Sequence, residues 1–437
     1  MKNCNTNLNA ITEKTLIVGI DVAKETHVAR AFDYRGAELC DGIYFRNTRE
    51  GFLSFTGCIE SLKETYNKDS AIIGLEPTGI YGNVLIAYLK AEGYNVVYIL
   101  GMQVKRAKEI EDNSPSKNDF KDAKVIAKLV KDGYYRKIRT FTDEITELKE
   151  ATQLAHQITK KLVRSKCQIR DCMTEYFPEF TTVFLSVFKD TGSNKPYEAS
   201  KTAFATLRLF PMPDQINAIT AEQIVSAWRA AGVIKGIGIK KAQHLKRVAM
   251  DTVGLKASES VHIKIKMLME EYDLLVSQEK EIWCRIKALI ENNADYRALM
   301  QMPYMTTKQA AYLLAEVGDF RDFSHPQQLV RLAGLNLKEC SSGKNRGTSE
   351  ISKRGRPGLR KILYLTVLQQ LRHAAPGWYQ LHKRYTTRSK NPLKKMQSII
   401  ALCCKFLRVV WGMLNNGTVY DPGMLIGKSG LLLPNVA

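Results

Sequence analysis

Compact apolar runs rich in β-branched residues, set between stretches of helical periodicity, constrain the first third of this chain most. Residues 15–21 (TLIVGID) form one such run. Residues 27–33 and 38–45 follow with β-type patterning and a turn at Arg35-Gly36. A helical stretch covers about 49–65, then come a buried-type strand at 71–76 (AIIGLE), a helix at about 80–91 and a further strand at 95–100 (NVVYIL). Three antiparallel strands, a helix and then a strand–helix–strand unit describe an α/β layer with a mixed sheet.

The middle of the chain reads differently. Leu148, Ala151, Ala155, Ile158, Leu162, Ser165, Ile169 and Cys172 recur in steps of three and four along a helix of about 144–176. Ile265, Leu268, Tyr272, Leu275, Glu279, Ile282, Ile286 and Leu289 do the same along about 261–293, with one polar interruption. Such seams fit an antiparallel helical hairpin or a dimerisation coil, and equally two amphipathic helices packed on their own domain. Between them, about 178–256 forms a small helical module. It contains Gly236-Ile237-Gly238-Ile239-Lys240-Lys241 ahead of an apolar helix. A Gly-x-Gly turn there can offer backbone N–H groups to a phosphate, as in helix–hairpin–helix elements; a plain helix–turn–helix linker is the other reading. Beyond 293, helices are expected at 306–317, 326–333, 357–374 and 392–414, around a polar Gly- and Ser-rich loop at 335–355.

Charge narrows the partners. The 437 residues carry a formal net charge of +21. From Leu335 to the end there are 18 Lys/Arg against 3 Asp/Glu, so the last quarter holds most of the excess. A basic terminal domain is an electrostatic footprint for nucleic acid, with an acidic membrane surface as the lesser alternative. The polar N-terminus has no apolar core of a signal peptide. The apolar stretch 399–414 is broken by Lys405 and Arg408, so no membrane span is expected. Nine scattered Cys without C-x-x-C or Cys/His zinc spacing point to a reducing cytoplasm rather than a disulfide framework.

Four acids sit at element ends. Asp21 closes the first strand in GIDVAK, and Glu76 closes the fourth in GLEPTGIYG. Asp119 and Asp122, in KNDFKDAKVIAKL, lie three apart on one face at the start of a helix. Converging carboxylates repel unless a cation sits among them, and hard oxygen ligands select Mg²⁺ or Mn²⁺. A pair of such ions clamps an in-line displacement at phosphorus. Taken singly, each acid reads as a turn former. In the basic loop, Ser341, Ser342, Ser349 and Ser352 are all turn-like, and no His stands beside them as a base. Lys344, Arg346, Lys353, Arg354, Arg356 and Arg360 are placed to bind phosphate, with Gly347, Gly355 and Gly358 permitting close backbone approach. Trp378, Tyr379 and Tyr385 are candidates for base stacking or for core packing.

GIDVAK, GLEPTGIYG and K-x-D-x-x-D-A, in that order, resemble the RuvC-like DEDD domain of the IS110 family of insertion-sequence transposases. The segment from AYLLAEVGDFRDF to SKRGRPGLRKILY resembles that family's C-terminal transposase domain. The resemblance implies a RuvC-like, RNase-H-like domain over 1–143, a first coiled-coil helix at 144–177, a helical insert at 178–258, a second coiled-coil helix at 259–296 and a mostly helical basic domain at 297–437. It implies that Asp21, Glu76, Asp119 and Asp122 bind Mg²⁺. It also implies that Ser342, the one of the four serines followed by glycine, attacks DNA to give a phosphoserine intermediate. A bridge RNA pairing with donor and target DNA, and a homodimer assembling as a dimer of dimers in a bacterial or archaeal cytoplasm at the nucleoid, follow from the same source. In one place the sequence departs from the family: Met302-Pro303-Tyr304-Met305-Thr306 lacks the usual Gly-x-Gly hairpin. A hydrolytic Holliday-junction-type nuclease using only the acids, and an idle nucleic-acid-binding descendant, are the competing readings.

Overall fold

Strand β1 (Thr15–Asp21) is the centre on which the N-terminal unit, residues 1–140, is built. Leu16, Val18 and Ile20 enter one apolar core and Ile17 the other, as a strand covered on both faces requires. β2 (Thr26–Phe32) pairs antiparallel on one side of β1, and β4 (Ser70–Leu75) pairs parallel on the other. β3 (Ile43–Arg46) adds beyond β2, and β5 (Asn95–Tyr98) and β6 (Arg136–Lys137) add beyond β4. The order is β3-β2-β1-β4-β5-β6, a mixed sheet.

Helices α1 (Arg49–Thr65) and α2 (Gly82–Ala91) cover one face through Phe52, Phe55, Ile59, Leu85 and Leu89. On the other face, α3 (Gly101–Glu111) brings Val104, and α4 (Asp119–Lys131) brings Val125, Ile126 and Val130. The sequence reading did not foresee α3, whose apolar positions are sparse. Helix α4 lies directly on the strands. A Cβ at Gly19 would overlap the backbone of Ala123 and Ala127, and one at Gly74, in register with Gly19, would overlap Val130. These glycines serve close approach rather than an unusual turn. The computed structural model describes residues 6–77, 79–111, 119–184, 201–338, 341–342, 345–346 and 350–426; at 111, 119, 120, 341, 342, 345, 346 and 426 it describes the backbone alone.

Among its described residues, the second unit, 141–437, is helical apart from two short two-stranded β ladders. Thr142 caps α5 (Asp143–Tyr176), which runs antiparallel to a second long helix: Arg285 of that helix pairs with Glu147, and Thr159 donates to Glu279 at 3.3 Å. All eight periodic positions of α5 are buried. Between the long helices, α6 (Lys201–Leu209), α7 (Ala221–Ala230) and α8 (Ile239–Met250) enclose a core around Phe177, Phe204, Trp228 and Leu245. In the second long helix, α9 (Glu259–Ile290), the expected seam drifts. Ile265, Tyr272, Leu275 and Ile286 are buried as expected, but Met269, Trp283 and Ile290 take the inward places foreseen for Leu268, Ile282 and Leu289. Each of the three lies one residue beyond the expected place, so the buried stripe is set to one side by a constant step.

A separate core gathers α10 (Thr307–Val317), α11 (Pro326–Leu332), α12 (Pro357–Arg372), α13 (Trp378–Thr387) and α14 (Lys395–Asn416). Here the structure decides one open reading and qualifies another. Trp378 is fully buried against Phe406, so it packs the core and does not stack on bases; Tyr385 packs there too, whereas Tyr379 is exposed. Helix α14 has 22 residues and contains an 18-residue window of mean hydropathy 1.5, enough for a span by length and composition, against the sequence reading. Its Ile399, Leu402, Phe406, Leu407 and Val410 are nevertheless buried inside this core. The glycine-free turn before α10 is made by Tyr304 at φ 57°, its ring stacked on His373 at 4.6 Å. A left-handed residue costs about 1–2 kcal/mol when it is not glycine.

The Gly19 contact predicts that Gly19→Ala destabilises the N-terminal unit by about 1–3 kcal/mol, as overpacking does. Differential scanning calorimetry of the whole chain should show the transition of that unit move down while that of residues 141–437 stays in place.

Candidate active site

Parallel pairing of β1 and β4 matches Ile20 with Leu75. The next residues, Asp21 and Glu76, therefore leave adjacent strands side by side, at strand separations of about 4.8 Å. Both are partly exposed. The Glu76 carboxylate lies against Gly101, the first residue of α3, where a Cβ would overlap it. Positive potential at a helix start favours a carboxylate there. Glycine at 101 is what admits the acid.

Helix α4 supplies the remaining acids. Its start lies over the carboxyl end of β1, because Ala123 contacts Gly19. Asp122 has only 16% of its side chain exposed and is ion-paired with Lys108 of α3. Asp119 begins the helix one turn earlier; its side chain lies outside the described residues. Among the described residues no three His, Cys, Asp or Glu side chains form a group that would hold a metal ion. Asp21, Glu76 and the start of α4 thus share one sheet edge, while Asp122 is neutralised by an ammonium group.

The loop carrying Asp21 into β2 is held by two residues that sequence reasoning missed. His27 is fully buried beside Phe45 and Phe52, with ring centroids 5.1 and 6.3 Å away. Its Nδ1 accepts from the Ala23 amide at 3.2 Å, so the neutral ring carries its proton on Nε2. Asn47 donates from Nδ2 to the Lys24 carbonyl at 3.3 Å, and its amide donates to Glu25 at 2.8 Å. Burial holds the His27 pKa below its ordinary value, with Asn47 opposing. A lone His in a β run carries no signal of this duty.

The serine segment is a β ribbon rather than the expected loop. Leu337 and Lys338 pair antiparallel with Ile351 and Glu350, and Ser341 and Ser342 pair with Arg346 and Asn345. Ser342 therefore lies in a short antiparallel ladder opposite Asn345. Lys344 and the side chain of Arg346 lie outside the described residues. Lys353 and Arg354 are exposed. Arg356 donates to the Glu316 carbonyl and lies 4.0 Å from its carboxylate. Arg360 donates to the carbonyls of Ala333 and Gly355 at 2.9 and 3.3 Å. Arg356 thus ties the start of α12 to the end of α10, and Arg360 ties α12 to residues that flank the ribbon on either side. Glu316, also unforeseen, is pushed up in pKa by burial, with Arg356 and Lys149 opposing, and only a glycine at 358 leaves room for it.

Residues 18–178, which include all four acids, match a family model of IS110-type DEDD transposases. Residues 296–384, which include Ser342, match the model described as transposase IS116/IS110/IS902 family. The chain belongs to the IS110 family of transposases. Relatives confirm the extent. A protein of insertion element IS110 from Streptomyces coelicolor is 22% identical over 94% of this chain and 97% of its own length. Its counterpart from IS116 of Streptomyces clavuligerus is 23% identical over 93% and 96%. The transposase for insertion sequence element IS1111A from Coxiella burnetii is 26% identical over 44% of this chain and 54% of its own length. The protein is an insertion-sequence transposase, an enzyme that acts on DNA.

In this transposase, Gly101→Ala should displace the Glu76 carboxylate. Misplacement by about 1 Å costs on the order of 10²-fold in rate, so DNA cleavage should fall by that order while the melting temperature changes little. The lowered pKa of His27 has a signed consequence. Its neutral form is the one folded in, so its stability contribution is present above the unfolded value of 6.5 and is lost as pH falls through and below it. Calorimetry from pH 7.5 to 5 should show the N-terminal transition fall in the native chain and flatten in His27→Gln.

Proposed function

We propose that this transposase cuts and rejoins DNA through a serine nucleophile supported by a metal-binding acid set on an RNase-H-like sheet. The observation that carries the reading is the paired exit of Asp21 and Glu76 from adjacent parallel strands, beside the start of the helix bearing Asp119 and Asp122. An all-carboxylate donor set suits Mg²⁺, with Mn²⁺ as a substitute. The ammonium of Lys108 at Asp122 marks the same need for positive charge at this edge. A divalent ion bound there supplies charge neutralisation at the scissile phosphate.

In this reading Asp21, Glu76, Asp119 and Asp122 hold the ion and orient the phosphate. Ser342 gives its hydroxyl proton to solvent water and its Oγ bonds to phosphorus. The bond from phosphorus to the leaving sugar oxygen breaks, and that oxygen takes up a proton. Rejoining reverses the exchange: a sugar hydroxyl of the other duplex attacks the phosphoserine, releases Oγ and receives the phosphoryl bond. Bond count is conserved, so no external energy source enters. Lys344, Arg346, Lys353 and Arg354 bind DNA phosphates near the serine, while Arg356 and Arg360 tie α12 to α10 and to the residues that flank the ribbon. The division of the chain into a RuvC-like domain, two coiled-coil helices with an insert and a C-terminal domain belongs to this proposal. So do a dimer that assembles as a dimer of dimers, with Ser342 meeting the acids of a neighbouring subunit, and action at the nucleoid in the cytoplasm. Selection of donor and target by a bridge RNA fits a chain with no evident base-reading helix, since pairing then reads the sequence.

The test is an SDS-stable protein–DNA adduct. With Mg²⁺, element-end DNA and the flanking transcript, the native protein should form one, and neither Ser342→Ala nor Asp21→Ala should. Cleavage without adduct that survives Ser342→Ala would identify a hydrolytic nuclease instead.

A further inference from the structure

The insert lies between the two family matches, in the stretch 179–295 that neither covers. From Gln223 to Met250 it carries six Lys/Arg and no Asp or Glu. On α8, Ala242, Leu245 and Ala249 face the insert core. Lys240, His244 and Arg247 recur at steps of four and three on the opposite side, so two cations and an imidazole fall on one stripe away from that core. Lys240 and Arg247 are exposed, as is Lys235 in the preceding turn, and none of the three has an ion-pair partner among the described residues.

The turn itself adds an independent observation. Gly238 has φ 172°, an extended conformation open to any residue, and a Cβ there would meet nothing within 4 Å. A Cβ at 238 would not clash, so the outer side of the turn is open; glycine is also a usual residue at a helix N-cap, the place it holds at α8. Ile234 projects beside it, 88% exposed. The stretch 223–250 has one aromatic residue, Trp228, and it is fully buried. Binding of unpaired bases relies on exposed aromatic platforms, whereas a duplex is held by its phosphates.

We propose that the α7–α8 turn and the outward stripe of α8 form a second docking face for duplex DNA, which grips phosphates without reading sequence. The choice of DNA over duplex RNA rests on the transposase reading; the face itself rests on the geometry above. It would hold DNA outside the segment being cut, so its loss should weaken binding more than it alters chemistry on bound DNA.

The experiment uses the full chain and a 40-base-pair duplex of arbitrary sequence, with affinity followed by fluorescence anisotropy across a salt series. Each lost phosphate contact makes the slope of log affinity against log salt about 0.9 shallower. Lys240→Ala/Arg247→Ala should therefore flatten the slope by about 2 units. Gly238→Ala should weaken binding several-fold with an unchanged melting temperature. Lys280→Ala/Lys287→Ala, an equal loss of exposed charge on α9, should leave the slope within half a unit of native. Equal flattening by both pairs, an unchanged slope in the first pair, or tighter binding of duplex RNA of the same sequence would overturn the docking face. Adduct formation at saturating DNA should survive the α8 substitutions, which separates this proposal from the serine mechanism. A native chain that binds no duplex would defeat both.

Discussion

The N-terminal unit depends on the contact between a helix backbone and a strand backbone at Gly19. Two glycines in register, Gly19 and Gly74, remove the side chains that would hold α4 away from the sheet. The helix start then comes down over the carboxyl end of β1, and the acids of three separate sequence segments are brought to one edge. Hydrophobic burial makes the layer stable, but this close approach fixes where the charge lies. A similar device repeats at Gly101, which admits Glu76 to a helix start, and at Gly358, which admits Glu316. In each case a missing side chain makes room for a carboxylate or for the backbone that positions one.

Electrostatics follows from that geometry. A carboxylate beside a helix N-terminus and another beside Lys108 hold negative charge together at a sheet edge. Full neutralisation by lysine would leave the edge inert; full exposure would leave it unfocused. In the C-terminal unit the polarity reverses. Arg356 and Arg360 are engaged with carbonyls, whereas Lys353 and Arg354, just after the serine ribbon, stay exposed.

Much of this was legible in the sequence. Compact apolar runs gave strands such as Thr15–Asp21 at their true ends, and the 3,4 spacing gave eight of the ten buried positions of α5. Asp21 and Glu76 were visible because strand ends follow directly from where an apolar run stops. Other features were not legible, for physical reasons. Helix α3 buries few residues, so it has little periodicity to read. The ribbon around Ser342 is stabilised by backbone pairing across a polar segment, which composition does not reveal. Trp378 was ambiguous because an aromatic among basic residues looks alike whether it faces bases or a core. His27 was missed because its duty is one acceptor bond to Ala23, created only when β2 folds back on β1.

The long helical hairpin has a consequence for how the transposase can vary. One helix serves two cores in succession: Leu148, Ala151 and Ala155 belong to the C-terminal core, and Ile158, Leu162, Ile169 and Met173 to the insert core. Each residue added between these stretches would advance the insert by about 1.5 Å and swing it by about 100° around the helix axis. The basic face of α8 would then point elsewhere. Insertions close to whole turns, matched in both helices, are the ones that keep its heading, so the hairpin behaves as a geared spacer whose reach changes freely only in steps of about 5 Å.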